Sequence, residues 1–262
     1  MTTQINGTTA ISQMGTQNHR VVSRDEWVAE RKTLLGREKE LTRFGDQIAR
    51  ERRALPWVRV DKTYVFGAPV GRRSLADLFD GRHQLLVQHF MLAPGWGEGC
   101  KSCSYMADHT DGATVHLAQR DVTFVTVSRA PLSEIERFRQ RMGWKFMWVS
   151  SYGNDFNRDF HVSFTADDKA NGEADYNFGG TPAGEEMPGV SAFWKDDAGE
   201  VFHTYSTYGR GVEVMMHTYR LLDLTPKGRD EDGHGMGWVR HHDRYEPAPT
   251  ANAAPAAAGE ST

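Results

Sequence analysis

The sequence predicts an α/β fold in which a central mixed sheet is flanked by helices, with an extra long helix at the N-terminus. Three apolar runs typical of buried strands, at residues 84–92, 122–128 and 146–150, alternate with segments of helical spacing. Two further strand-like runs are joined by the turn at residues 196–199 (Asp-Asp-Ala-Gly), which is typical of a β-hairpin. Alternating strands and helices predict a parallel core, and the hairpin adds antiparallel strands at its edge.

The overall composition excludes several classes of protein. The chain has 262 residues and a net charge of −4, from 31 Lys and Arg against 35 Asp and Glu. This balance excludes a protein held on nucleic acid mainly by excess positive charge. No apolar stretch approaches the length of a membrane span, and the first residues lack the pattern of a secretory signal. The two cysteines are too few for a disulfide framework. We therefore expect a soluble, cytoplasmic protein without a membrane partner.

The N-terminal region is predicted to be a mobile arm followed by a helix. Residues 1–22 are polar and cannot bury enough apolar area to offset the entropy of ordering. Ser23 and Glu26 form a Ser-x-x-Glu helix start, and the helix should run over residues 24–53. Its apolar residues recur every seven positions: Trp27, Leu34, Leu41 and Ile48. We interpret this stripe as packing on the domain at 56–246, with a homodimer as the alternative, and residues 247–262 as a disordered tail.

The remaining elements complete the predicted order. We predict a strand at 61–66, a short helix or turn at 74–79, a helix from about Cys103, a helix at 132–142, an irregular segment at 152–184, strands at 190–195 and 200–205, and a helix at 212–223. The order is β–α–β–α–β, then a hairpin, then a helix. This is the element order of the thioredoxin fold.

The two cysteines stand together as Cys100-Lys101-Ser102-Cys103, just after a buried strand and at the start of a helix. Helix N-terminal amides stabilise a thiolate, and Lys101 adds a positive charge beside it. Two intervening residues allow the second sulfur to reach the first. The motif predicts Cys100 as the exposed attacking thiolate and Cys103 as the more buried resolving thiol. The alternative is a pair of small buried residues that are close by chance.

Two features near the cysteines extend the predicted site. The loop Gly95-Trp96-Gly97-Glu98-Gly99 lacks the third glycine of a dinucleotide-binding fingerprint and carries an acid that repels phosphate. Its glycines are expected to let the chain turn beneath an exposed sulfur. Pro188 precedes the strand that should pair beside the cysteine strand. Thioredoxin-like proteins hold a cis-proline there, although a trans proline that starts a strand is an equal alternative. In the cis case Met187 would face the sulfurs.

Long segments of the sequence resemble one known family. These are SRDEWVAERKTLLGREKELTR, LLVQHFMLAPGWGEGCKSCSYMADH, VTFVTVSRAPLSEIERFRQRMGWKFMWVSSYGNDFNRDF and GVSAFWKDDAGEVFHTYSTYGRG. They are similar to the bacterial thioredoxin-like proteins grouped as a domain of unknown function, DUF-899. The resemblance implies a thioredoxin-like fold related to peroxiredoxins and thiol reductases, and it implies no established reaction. Compared with thioredoxin, Lys101-Ser102 replaces Gly-Pro and the loop before Cys100 is longer.

Polar residues outside the cysteine motif suggest two further candidate sets. Tyr152, Asn154, Asn157 and Arg158 follow the carboxyl end of a strand, where α/β sheets bind ligands, and join Trp96 as candidate substrate-binding residues. A self-capped loop is the alternative for the four. The second set is metal-binding: Cys100 and Cys103 with Met187, His89 or His203 would suit copper(I). The alternative for each histidine is a hydrogen-bonded structural role.

The sequence therefore supports three functional hypotheses. The first is a thiol–disulfide oxidoreductase with a catalytic set of Cys100, Lys101, Cys103 and Pro188, in which Cys100 attacks a disulfide or peroxide and Cys103 resolves. It requires no cofactor, and its partners are a disulfide-bearing protein or small oxidant and an external reductant. The second is a copper protein for delivery or oxidative chemistry. The third is a non-catalytic binding module that recruits partners through the N-terminal helix.

Overall fold

The computed structural model of the protein describes residues 19–231 and 233–246. Most of the predicted N-terminal arm and all of the predicted C-terminal tail lie outside the described residues. The described residues divide into two compact units, the first ending at Leu55 and the second beginning at Pro56. Among the described residues, no helix has both the length and the apolar character needed to cross a bilayer.

The first unit contains one long helix, α1 (Arg24–Arg53). Its start follows from the predicted cap, since the Ser23 side chain accepts a hydrogen bond from the Glu26 backbone N–H at 3.2 Å. Acidic residues lie in the first turn and basic residues in the last, as the helix dipole favours. The predicted bounds of this helix are confirmed. Its packing on the domain and the homodimer stay predictions.

The described part of the second unit contains eight strands in one sheet and six short or medium α-helices. The strands are β1 (Val58–Arg59), β2 (Val65–Ala68), β3 (Gly71–Ser74), β4 (Gln84–His89), β5 (Val122–Ser128), β6 (Met147–Ser150), β7 (Gly189–Lys195) and β8 (Val201–Tyr208). The helices are α2 (Lys101–Thr110), α3 (Thr114–Ala118), α4 (Leu132–Met142), α5 (Phe156–Asp159), α6 (Ala166–Ala170) and α7 (His217–Leu222). The strand order is β1-β8-β7-β4-β5-β6-β2-β3.

The sheet is mixed in the way that the sequence predicts. Strands β4, β5 and β6 are parallel, and β7 runs antiparallel to β4 with Gly189 opposite His89. The turn at residues 196–199 joins β7 to β8 as an antiparallel hairpin. The order β8-β7-β4-β5, with α2 connecting β4 to β5, is that of the thioredoxin fold. Strands β6, β2 and β3 extend one edge of this core and β1 extends the other. The predicted fold class is confirmed.

Alternation of side chains along the strands separates two apolar clusters. The first contains buried residues of α2, α4 and α7, together with Phe90, Trp144 and Trp148. The second contains Phe66 and Phe156, with the valines of β4 and β5 that point the other way. Because both clusters are well filled, the central strands are covered on both faces, which explains their near-continuous apolar sequences.

Two predicted elements differ markedly in their bounds, whereas the short helix or turn predicted at 74–79 is confirmed apart from its first residue. The strand predicted at 61–66 begins only at Val65 and continues to Ala68, and Lys62, which precedes it, binds Asp155 and Asp159. The segment at 74–79 is a strand end followed by a 3-10 turn over Asp77–Phe79. The helix predicted at 212–223 is a 3-10 segment and the separate helix α7, divided at Met216, whose ψ of 71° is not helical. Residues 152–184 also contain two short helices, α5 and α6.

Candidate active site

Cys100 occupies the N-cap of α2, which places its side chain at the positive end of a ten-residue helix. The helix begins at Lys101, two residues earlier than predicted. The backbone N–H of Cys100 donates to the Met91 carbonyl at 3.0 Å, which ties the helix start to the segment after β4. The Cys100 carbonyl accepts from both the backbone N–H and the Oγ of Ser104, each at 2.9 Å. The backbone around Cys100 is therefore held at both of its polar groups.

The glycine-rich loop before Cys100 lies directly against an aromatic cluster. A Cβ at Gly99 would stand 2.4 Å from a ring carbon of Phe90 and 2.7 Å from one of Phe138, so only glycine fits. Gly95 and Gly97 have φ values of +80° and +74°, a region that glycine adopts without strain. The Nε2–H of buried His241 donates to the Gly99 carbonyl at 2.9 Å. The φ values of Gly95 and Gly97 agree with the prediction that the glycines let the chain turn before Cys100. Gly99 is required for a second reason, which is its contact with the aromatic rings.

The two cysteines are both free thiols, and they differ sharply in their surroundings. Cys103 is fully buried, whereas Cys100 is partly exposed. A hydrogen bond from the Cys103 thiol, helped by backbone N–H groups of Cys103 and Ser102, lowers the pKa of Cys100 to about 6 against the opposing effect of burial. Burial, followed by the neighbouring Cys100, raises the pKa of the Cys103 thiol. The pair thus has one stabilised thiolate and one protonated donor.

Lys101 contributes to this arrangement less than the sequence suggests. Its side chain is exposed, and the largest influences on the pKa of Cys100 are hydrogen bonds and burial rather than the charge of Lys101. Cys103 is fixed from the other side, because its Sγ accepts from the Met91 N–H at 3.5 Å and its carbonyl accepts from Gln88 Nε2 at 3.2 Å. The thiolate therefore depends mainly on Cys103 and on the helix backbone.

Both cysteines border an open cavity of about 810 Å³. Met187 and Pro188 stand in its wall, so the structure brings the predicted residues around Cys100 and Cys103 together. The peptide bond before Pro188 is trans, since no cis bond occurs among the described residues. Five methionines line the cavity: Met91, Met106, Met187, Met216 and Met236. Flexible thioether side chains give this cavity an apolar and adaptable wall.

The same wall contains two functional candidates that sequence reasoning missed. Glu186 is 1% exposed, and its carboxylate accepts from Arg129 Nε at 2.6 Å and from Ser163 Oγ at 2.8 Å. Burial raises the pKa of this carboxyl. Tyr176 donates its hydroxyl proton to the Pro188 carbonyl at 2.8 Å and accepts from a backbone N–H at 2.7 Å. The only sequence signal for Glu186 is its position two residues before Pro188.

The candidate substrate-binding residues divide into two groups. Trp96 is 42% exposed and borders a smaller pocket that also contains Cys100. Tyr152, Asn154, Asn157 and Arg158 line neither that pocket nor the larger cavity. Their predicted role in substrate binding stays a prediction.

The polar groups of these four residues bind within the segment, to the neighbouring strand β2, or face solvent. Asn154 Nδ2 donates to the Val65 carbonyl at 2.8 Å, and its Oδ1 accepts from the Phe156 N–H at 2.9 Å. Buried Asn157 accepts from Ser151 Oγ at 2.6 Å. Arg158 pairs with Asp168 at 2.7 Å, and Tyr152 is exposed. This is the self-capped loop that the sequence left as the alternative.

The two histidines of the copper hypothesis lie on the other face of the sheet. His89 is 1% exposed and stacks on Phe156 and Phe160, while its neighbour Gln88 points toward Cys103. His89 Nε2 is hydrogen-bonded to Ser191 Oγ at 2.8 Å. That hydroxyl contacts Ser206 Oγ at 2.7 Å, and Ser206 Oγ contacts His203 Nε2 at 2.7 Å. The predicted grouping of His89 and His203 with the cysteines is therefore wrong.

The remaining soft ligands, Cys100, Cys103 and Met187, share the cavity. Among residues 19–231 and 233–246, no group of three or more His, Cys, Asp or Glu is placed to hold a metal ion. Copper binding through the thiols and a thioether stays a prediction.

Comparison with known proteins places this chain in a family. The profile described as "Bacterial protein of unknown function (DUF899)" matches residues 16–245. No curated protein matches the sequence.

Several solved structures of peroxiredoxins are similar at low identity. Peroxidoxin BcpB from Mycobacterium tuberculosis is 15% identical, with a TM-score of 0.40 over 63% of this chain and 96% of that one. A variant of peroxiredoxin Q from Xanthomonas campestris is 13% identical, with a TM-score of 0.38 over 60% and 90%. A yeast mitochondrial 1-Cys peroxiredoxin is 12% identical, with a TM-score of 0.40 over 64% and 78%.

Proposed function

The chain belongs to the bacterial family of unknown function DUF899, and from the geometry of its site we propose that it is a thiol–disulfide oxidoreductase that reduces a small peroxide or disulfide. Cys100 is the attacking nucleophile and Cys103 the resolving thiol. The observation that carries the proposal is the asymmetry of the pair. Cys100 is partly exposed, borders an open cavity and has a pKa lowered to about 6, whereas the Cys103 thiol is fully buried and its pKa is raised.

The reaction with a peroxide proceeds in two balanced steps. The Cys100 thiolate attacks one peroxide oxygen, the O–O bond breaks, and Cys100 becomes a sulfenic acid while the other oxygen leaves and takes a proton as an alcohol or water. The Cys103 sulfur then attacks the Cys100 sulfur, the S–O bond breaks, and water leaves with the proton of the Cys103 thiol. The product is an internal disulfide, and the peroxide has gained two electrons.

A disulfide substrate follows the same order. The Cys100 thiolate attacks one sulfur of the substrate, and the other sulfur leaves as a thiolate. Cys103 then attacks Cys100 in the mixed disulfide, the second substrate sulfur leaves, and the internal disulfide forms. Because Cys103 is fully buried and interacts with Cys100, the substrate forms its mixed disulfide with Cys100, and the neighbouring Cys103 carries out the second step.

The dimensions of the cavity favour a small molecule as the oxidant. A volume of about 810 Å³ lies in the range of small-molecule sites. The methionine wall suits an apolar portion of such a substrate, and adapts to more than one shape. The wall segment at Pro188 is fixed by the hydrogen bond from Tyr176 and by the pairing of β7 with β4. A large protein disulfide would reach Cys100 only from the rim.

The test is to expose the reduced full chain to one equivalent of hydrogen peroxide, tert-butyl hydroperoxide or bis(2-hydroxyethyl) disulfide and to follow its mass. The wild type should lose two hydrogens as the internal disulfide forms. Cys103→Ser should stop at a sulfenic acid that dimedone traps, or at a mixed disulfide. Cys100→Ser should react at the rate of an ordinary buried thiol. Equal oxidation rates for wild type and Cys100→Ser would refute the proposal.

A further inference from the structure

Cys100 also borders a second pocket, of about 450 Å³, which Cys103 does not line. Trp96, half exposed, forms part of its wall, together with Lys101, Arg240 and Arg244. The large cavity is bordered by both cysteines, whereas this pocket is bordered by Cys100 alone. The attacking cysteine therefore stands between two openings of different character.

The second pocket has an excess of positive charge. Its one carboxylate, Glu98, accepts hydrogen bonds from Arg244 at 2.7 Å and from Arg141 at 2.8 Å. Among the described residues, the Arg240 guanidinium donates only to the carbonyls of Gly237 and Val239, at 2.8 and 3.1 Å, and no carboxylate of that part of the chain pairs with it.

The other charged groups around the pocket leave this excess in place. Lys101 is exposed and has no ion pair within the part of the chain that the structure describes. Arg141 and Asp243 pair with each other at 2.8 Å beyond Glu98. An anion entering the pocket would meet Lys101 and Arg240 without displacing an existing partner.

The geometry of disulfide reduction gives this second opening a role. A thiolate that reduces the Cys100–Cys103 disulfide must attack Cys100, because Cys103 is fully buried. Attack at sulfur is in line with the bond that breaks, so the incoming thiolate approaches Cys100 from the side away from Cys103. The second pocket is the opening that borders Cys100 without Cys103.

We propose that this pocket binds the reductant, and that the reductant is a low-molecular-weight thiol that carries carboxylates. The inference rests on the proposed function, since it presupposes an internal disulfide. The thiolate forms a mixed disulfide with Cys100, and Cys103 leaves as a thiolate that takes up a proton. A second thiol attacks the reductant's sulfur, releases the Cys100 thiolate, and departs as the oxidised small disulfide. Two electrons pass from two thiols to the protein.

The test starts from full-length protein whose disulfide has been formed with diamide, so that it does not depend on peroxide reduction. The probes are mercaptosuccinate with two carboxylates, neutral 2-mercaptoethanol and cationic cysteamine. Each rate of protein reduction is divided by the rate at which the same thiol reduces bis(2-hydroxyethyl) disulfide, which cancels intrinsic reactivity. We expect the ratio to fall in the order mercaptosuccinate, 2-mercaptoethanol, cysteamine, and the difference to shrink as salt is added.

The variants assign the effect to the pocket. Arg240→Gln should lower the mercaptosuccinate ratio by about two- to fivefold, the range for one exposed ion pair, and leave the 2-mercaptoethanol ratio unchanged. Arg137→Gln removes the same charge from an exposed position on α4 outside the pocket and should leave both ratios unchanged.

Three results would overturn the pocket assignment: equal ratios for the three thiols, equal effects of the two variants, or no reduction by any of the three thiols. A further outcome separates the two proposals. If the three thiols reduce the diamide-formed disulfide in the expected order but peroxide never forms that disulfide, the reductant pocket is supported and the proposed reaction with peroxide is refuted.

Discussion

The hydrogen bond from the Cys103 thiol to the Cys100 thiolate is the largest cause of the lowered pKa of Cys100, and Cys103→Ala removes it. A hydrogen bond to a charged group contributes about 1.5–3 kcal/mol. One pKa unit corresponds to about 1.4 kcal/mol, so the loss should raise the pKa by about one to two units. We therefore expect the pKa of Cys100 to move from about 6 to roughly 7–8. At pH 7 the ionised fraction would fall from about nine-tenths to between roughly one-tenth and one-half.

The assay is the pH dependence of alkylation of Cys100 by iodoacetamide, followed by mass spectrometry. Cys103→Ser is the matched control, because a serine hydroxyl can donate to the thiolate where an alanine methyl cannot. The midpoint should stay near that of wild type in Cys103→Ser and rise in Cys103→Ala. If neither variant differs from wild type, the helix backbone alone sets the pKa and our assignment of the main cause is refuted.

Three further predictions concern residues around the site. Burial holds the pKa of His89 at about 3, against about 6.5 in an unfolded chain, so only the unfolded state gains a proton below pH 6.5. The free energy of unfolding should therefore fall by about 2 kcal/mol between pH 6.5 and 5. Urea unfolding should show a smaller fall over this pH range for His89→Gln than for wild type. Equal falls for the two proteins would contradict this prediction. Gly99→Ala should destabilise the protein by about 1–3 kcal/mol in thermal unfolding, because its Cβ would stand 2.4 Å from Phe90. The control Gly112→Ala, which has open space around it, should have no such effect. Equal effects of the two variants would show that the contact with Phe90 is not the cause. Tyr152→Ala should change the rate of peroxide reduction by less than about twofold because Tyr152 is exposed and outside the cavity, and a tenfold loss would restore this loop to the site.

The elements that the sequence predicts well are those specified by local signals. The cap at Ser23 and the bounds of β5 and α4 follow from residues next to each other in the chain. The position of Cys100 at a helix start follows from the same kind of signal. Pro188 could be placed beside the cysteines because the hairpin order leaves few positions for β7.

The face of the sheet that each residue occupies could not be predicted in the same way. Strand β4 is buried on both faces, so its apolar residues show no alternation that would tell which face His89 occupies. Its separation from the cysteines follows only from the observed register. The cavity wall is also non-local, since it combines segments around Glu186, Arg210 and Met236 that no spacing rule connects to the cysteine motif.

The row of hydrogen bonds from His89 through Ser191 and Ser206 to His203 crosses three neighbouring strands beneath the active-site face. A slip of β7 by one residue would turn Ser191 to the opposite face and leave the imidazole without that partner. The same slip would displace Pro188 by about 3.3 Å along the strand relative to the two cysteines. These hydrogen bonds thus fix the register of β7, although their polar groups take no part in the proposed chemistry. Residues on the opposite face of the sheet therefore determine the position of Pro188 relative to the cysteines.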